Sequence, residues 1–219
     1  MKKYFIGVIL LIGLQSCKTD NVEDYELKVL DEIFNDLIYK MGVASWFIPP
    51  PPPSIIDLHG DTVAYQRNID DYTKQIKKWG KDTTIVIAVT DTLFTCYKDN
   101  YLERQIFTEY GYNEAYKAMT DSLITSRPLD LSKIKNREKI ILKYHSEFPK
   151  GTQIWKKDYD FFLSGVLTIS RIYFDSSRQF GLFYCSFMCG SLCGDGVIVC
   201  IHKINDKWAI EKIINLWVS

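Results

Sequence analysis

Two short stretches carry residues whose types and spacing could do chemistry. Met188-Cys189-Gly190-Ser191-Leu192-Cys193-Gly194-Asp195-Gly196 holds two cysteines among three glycines, with Cys185 and Cys200 on either side. Four thiolates could hold zinc, but the spacings here differ from those of paired CxxC knuckles. A redox pair of the CxxC kind sits at a helix N-terminus that lowers its thiol pKa, whereas this stretch runs from strand to strand. In an oxidising compartment the remaining chemistry is a structural disulfide. Cys189–Cys193 would close the glycine-rich bend, and Cys185–Cys200 would bridge the flanking strands. The second pairing depends on register. A loop centred near Leu192 and Cys193 makes opposed residue numbers sum to about 385 and sets Cys185 opposite Cys200. A one-residue shift would move the two to opposite faces.

The second stretch is Asp57-Leu58-His59-Gly60-Asp61, with two carboxylates and an imidazole at alternate positions. On an extended strand the three share one face and could hold zinc or another divalent ion, which would suit a small hydrolase or metal-dependent enzyme. As a polar turn the same residues would bend the chain at Gly60, and no HExxH partner accompanies them. His145 and His202 stand alone, and Cys96 has no local signature of a nucleophile with its base. GxSxG, GxGxxG, Walker and EF-hand patterns are absent. Acidic pairs such as Asp70-Asp71 and Asp158/Asp160 read as solvated faces. No cofactor is expected, and the balance of motifs leans away from catalysis.

Where the chain resides decides the cysteine chemistry. Residues 1–20 read MKKYFIGVILLIGLQSCKTD. Lys2 and Lys3 precede an apolar run from Phe5 to Leu14, too short for a settled membrane span. Leu14-Gln15-Ser16-Cys17 then resembles the lipobox of bacterial lipoproteins. The resemblance implies cleavage before Cys17, acylation of that residue, and a membrane partner reached through its lipid. Each buried methylene contributes about 0.8 kcal/mol, so two or three chains hold firmly where one holds marginally. The expected organisation is a signal peptide over 1–16, a lipidated tether over 17–22 and one globular domain over 23–219. Lys18 followed by spaced acids looks like the export signals of Bacteroidota surface lipoproteins. That implies an outer-membrane lipoprotein of the cell envelope, on the periplasmic or the surface leaflet.

The chain has 219 residues with 27 basic and 27 acidic side chains. Losing residues 1–16 removes Lys2 and Lys3 and leaves a formal charge of about −2. No basic patch emerges, so nucleic acid is not the expected partner. A protein or an envelope polymer is.

Several elements must position these residues. Leu27, Leu30, Ile33, Phe34, Leu37, Ile38 and Met41 recur at helical steps, and Gly42 supplies a stop. Pro49 to Pro53 force an extended strap. Tyr65, Ile69, Tyr72, Ile76 and Trp79 mark a second helix, and Tyr112, Ala115, Tyr116, Met119 and Leu123 a third. Thr83–Thr90 and Glu138–Tyr144 read as strands. From 165 to 219 the period becomes that of a four-stranded antiparallel meander with turns at DSSR, the cysteine loop and Asn205-Asp206. Helices first and a meander last predict an α+β domain, with amphipathic helices packed on an antiparallel sheet. Its ending, with CG…CGDG, Lys207-Trp208 and Leu216-Trp217-Val218-Ser219, resembles a C-terminal module of Bacteroidota envelope lipoproteins. That resemblance implies no activity, and the expected role is non-catalytic binding or scaffolding at the envelope.

Overall fold

The computed structural model describes residues 22–43, 52, 54–78, 84–96, 111–121, 124–135 and 140–219. Cys17, the signal segment and all of the proline strap except Pro52 lie outside the described residues.

Helix α1 (Val22–Lys40) forms where the apolar residues recur every three to four positions, and every one of the seven expected residues is buried. Its stop is a Schellman arrangement. Gly42 takes φ +67°, its N–H donates to Tyr39 O at 3.0 Å, and the Val43 N–H donates to Ile38 O at 3.1 Å. Helix α2 (Thr62–Lys78) begins at Asp61, whose Oδ1 accepts from the N–H groups of Val63 and Ala64 at 3.0 and 2.9 Å. Tyr65, Ile69 and Tyr72 on its apolar face are only half-buried. Helix α3 (Tyr112–Asp121) buries Tyr112, Ala115, Tyr116 and Met119 as its spacing requires.

The strands are β1 (Ile85–Val89) and β2 (Thr92–Leu93), β3 (Arg127–Pro128) and β4 (Ile140–Tyr144), then β5 (Phe162–Ile169) and β6 (Tyr173–Phe174). β7 (Phe180–Gly190), β8 (Cys193–Ile204) and β9 (Lys207–Val218) complete them. The main sheet runs β4-β1-β5-β7-β8-β9, with β6 pairing on β7 and a separate β2–β3 pair. The fold is α+β, and the C-terminal strands form a hairpin series. The sheet is mixed rather than antiparallel, because β1 pairs in parallel with both β4 and β5. Parallel partners lie far apart in sequence, so no turn signal announces them.

The first meander strand is also interrupted. After Ile169 the chain leaves the ladder at Ser170-Arg171-Ile172, and the Arg171 side chain turns inward to Glu26. At the last hairpin, Asn205 and Asp206 take φ +49° and +62°, the left-handed pair a tight two-residue turn demands.

Alternation along the strands gives the sheet two apolar faces. Val197, Val199 and Ile201 pack with α1, while Ile198 and Cys200 pack with α3. Farther along that second face, Phe148 and Ile154 cover Val86, Ala88 and Val166 of β1 and β5. The layers are therefore α1, sheet, and α3 with the 145–161 segment.

Helix α1 fixes the polarity of the domain. Glu26 in its first turns bonds Arg171 beyond the end of β5, while the Val43 carbonyl after its last turn accepts from Ser164 Oγ near the start of β5 at 3.0 Å. The seventeen residues from Glu26 to Val43 at 1.5 Å each separate these contacts by about 25 Å.

Candidate functional site

The expected cysteine staple is present in one of its two versions. Cys189 and Cys193 form a disulfide with a Cα–Cα separation of 5.2 Å. Cys185 and Cys200 are reduced. The loop is the two-residue turn Ser191-Leu192, centred one residue earlier than expected, and the register slips one residue more at Cys189, so Cys185 opposes Val197 and Cys200 opposes Leu182. The register moves by an odd number of residues. Cys185 therefore joins the α1 side of the sheet and Cys200 the α3 side, too far apart to bond. Between Met188↔Gly194 and Gly190↔Cys193 the register shifts, leaving Cys189 as a bulge that the disulfide ties to the facing strand.

Asp57, His59 and Asp61 do not lie on a strand. Residues 55–60 form turns, with φ +52° at His59 and +81° at Gly60. Asp57 Oδ2 accepts from the Ser54 N–H at 2.9 Å and its hydroxyl at 2.7 Å, and these bonds hold the carboxyl below its ordinary pKa. Asp61 caps α2. Both carboxylates thus face local donors instead of a shared ion. Among the described residues no three His, Cys, Asp or Glu side chains converge on a metal position. His202 stacks on Phe180 with ring centroids 4.6 Å apart and lies 3.7 Å from Glu211.

The structure builds a different site, from a segment that periodicity passes over. After β4 the chain recrosses the sheet, and Trp155 to Phe162, WKKDYDFF, return it to β5. Half of that stretch is aromatic. Tyr159 and Phe161 stack at 4.9 Å and 23°. Phe148 meets each edge-on, at 5.8 and 6.3 Å. The Tyr159 hydroxyl donates to Ile154 O at 3.2 Å, and burial raises its pKa. Lys157 Nζ lies 5.5 Å from the Tyr159 ring and Lys143 Nζ 5.4 Å from the Phe161 ring, within cation–π reach.

Two cavities adjoin along this wall. One of about 250 Å³ is lined by Trp155 and Leu163 together with Cys189 and Gly190. The next, of about 390 Å³, extends to Lys143 and Glu147. Both include Lys157, Asp158, Tyr159 and Phe161. Together they reach the size of small-ligand sites. Asp158 and Asp160 are solvent-exposed, as their sequence suggests, but they also rim the cleft. The signal that marks it is aromatic density alternating with charge, which a helix or strand period does not register.

A third cavity, of about 340 Å³, is lined by Gly111, Glu114, Asp175 and Phe180. Its carboxylates are engaged. Glu114 accepts from the Ser176 N–H and hydroxyl, which lower its pKa. Burial pushes Asp175 up, but bonds from Ser177, Phe180 and Gln179 outweigh it and the pKa is lowered.

Fold and cleft together define an α+β domain with an aromatic-lined cleft beside a disulfide. The chain matches no family model, no curated protein and no solved structure.

Proposed function

We propose that this protein is a lipid-anchored component of the bacterial cell envelope that binds a ligand in the aromatic cleft and does not transform it. The sequence supplies the anchor, through the lipobox-like Leu14-Gln15-Ser16-Cys17, and with it an oxidising compartment suited to the Cys189–Cys193 disulfide. The observation that carries the binding half is the cleft lined by Trp155, Tyr159 and Phe161, and the polarity of α1 bears on how it would face. The helix begins at the end of the sheet where β5 finishes, and the cleft opens where β5 starts, beside Leu163 and Gly190. A tether leading into α1 would hold the domain with its cleft away from the bilayer.

The anchor is tested by mass spectrometry of the protein purified from its own membranes. An acylated Cys17 at the N-terminus is expected, lost in Cys17→Ser with release from the membrane. An intact, acyl-free N-terminus in the cytosol refutes it. Robust turnover of any substrate in an activity screen, abolished by one cleft substitution, refutes the non-catalytic half.

A further inference from the structure

We infer that the cleft takes a neutral oligosaccharide, with two or more sugar units lying along the trough. This deepens the binding reading above and rests on it.

The shape is the first argument. Two cavities of about 250 and 390 Å³, both open to solvent, meet across Lys157, Asp158, Tyr159 and Phe161. Two adjacent lobes that share part of their lining suit a linear chain lying across both better than a single compact molecule.

The wall is the second. Tyr159, Phe161 and Phe148 brace one another at ring distances of 4.9 to 6.3 Å, and Trp155 is half-buried beside them. Tyr159 and Phe161 stack on each other and Lys157 and Lys143 lie over their rings, so the ring offered to a ligand is that of Trp155, which lines the first cavity and is held by this braced wall. The C–H faces of a pyranose are apolar and carry slight positive charge, which matches the negative face of an aromatic ring.

The charge of the rim is the third. Lys143 and Lys157 offer donors, and Glu147, Asp158 and Asp160 offer acceptors, all around the same opening. A polyanion would meet three carboxylates. A cation would compete with ammonium groups already over the rings. A hydroxyl both donates and accepts, so an uncharged polyol satisfies lysines and carboxylates alike. Apolar ring faces with hydroxyls around their perimeter are the chemistry this cleft complements.

The test uses the full lipidated chain in a detergent without a sugar headgroup. Neutral oligosaccharides of one to six units, drawn from glucans, mannans, xylans and galactans, are titrated by calorimetry. Carbene footprinting reads protection of Trp155 and Tyr159. At least one series should bind, tightening about tenfold or more from one unit to three as the second lobe fills. Trp155→Ala should weaken binding about 30-fold, as removing a central aromatic contact does, while Tyr39→Ala on the exposed face of α1 leaves it unchanged. Should Trp155→Ala fail to fold, Lys157→Gln with Asp158→Asn at the exposed rim should weaken it at least about tenfold. No binding anywhere in the panel overturns the inference, as does binding that these variants leave intact. A polyuronate or a peptide library that protects Trp155 when the neutral series does not would overturn the ligand class while sparing the binding reading. Should nothing in those three sets or in an envelope extract protect the cleft, both fall.

Discussion

Replacing Glu26 with glutamine removes one charge from the most enclosed ionic group the structure describes. The Glu26 side chain is 1% exposed, and those of Arg127 and Arg171 10% and 9%. Oε2 accepts from Nε and Nη2 of Arg127 and from Nε of Arg171, all at 2.9 Å. Oε1 accepts from Arg171 Nε at 3.0 Å and the Ile172 N–H at 2.9 Å. The three side chains join α1 to β3 and to the break after β5, across separations of 101 and 145 residues. The amide of glutamine keeps one acceptor and turns its NH₂ toward guanidinium donors. Two buried cations then lack their counter-ion, a change that costs about 3–5 kcal/mol. For a chain of this size that lowers Tm by about 6–20 °C, against a total stability of about 5–15 kcal/mol. Scanning fluorimetry and urea unfolding of the full chain in detergent measure it. Asp36→Asn is the control, since its pair with Lys40 spans 3.9 Å with both side chains about two-fifths exposed, and such surface pairs contribute about 0–1 kcal/mol. A Glu26→Gln loss no larger than the control's would refute the reasoning, because it would mean that the guanidinium groups are already hydrated. Replacing all three residues together by apolar side chains should restore much of the loss, since desolvation offsets most of what a buried pair gains.

Three further outcomes are expected. Thiol labelling of the unfolded, unreduced protein should modify Cys96, Cys185 and Cys200 but spare Cys189 and Cys193, and reduction should destabilise the fold by about 2 kcal/mol, the loop-closure value for so short a ring. In the native state Cys185 should label slowest, being fully buried with its thiol pKa pushed up by desolvation. Asp195→Asn should raise Tm at pH 7. Burial raises the Asp195 pKa above its unfolded value, so the native carboxylate becomes a liability as pH rises through that pKa; the gain should fade below about pH 4, where both states are protonated. Equal gains at pH 3 and pH 7 would refute that. Gly165→Ala should destabilise by about 1–3 kcal/mol or more, because its Cβ would press on the Met188 carbonyl and the Phe187 ring; an unchanged urea midpoint would show that β5 and β7 can move apart.

What the sequence made legible is what is local. The periodic faces of α1 and α3 are buried nearly residue for residue, because helical spacing and burial are the same geometry seen twice. The hairpin at Asn205-Asp206 follows equally from two residues that tolerate positive φ. The parallel pairing of β1 with β4 and β5 escaped, since nothing near Ile85 refers to Ile140 or Phe162. Glu26 escaped too: an acidic residue in the first turns of a helix reads as favourable to the dipole, and only tertiary contact shows it buried between two arginines. The metal reading of Asp57, His59 and Asp61 rested on extended backbone, and a turn with φ +52° at His59 removes that premise.

The cysteines show how one residue of register separates two chemistries. Alternate side chains leave opposite faces of a strand, so an odd shift of the β7–β8 pairing carries Cys185 into the core under α1 and leaves Cys200 under α3. Next to the tight Ser191-Leu192 turn the register slips at Cys189, and the bulged residue bonds to Cys193. A ring this small restricts the unfolded chain little, so its larger effect is local. It pins the one residue of β7 that has no β8 partner in the ladder, and Cys189 and Gly190 line the same cavity as Trp155 and Leu163. Without that bond the bulge would be the point at which the hairpin end frays. The disulfide thus belongs to the wall of the trough as much as to the stability of the sheet.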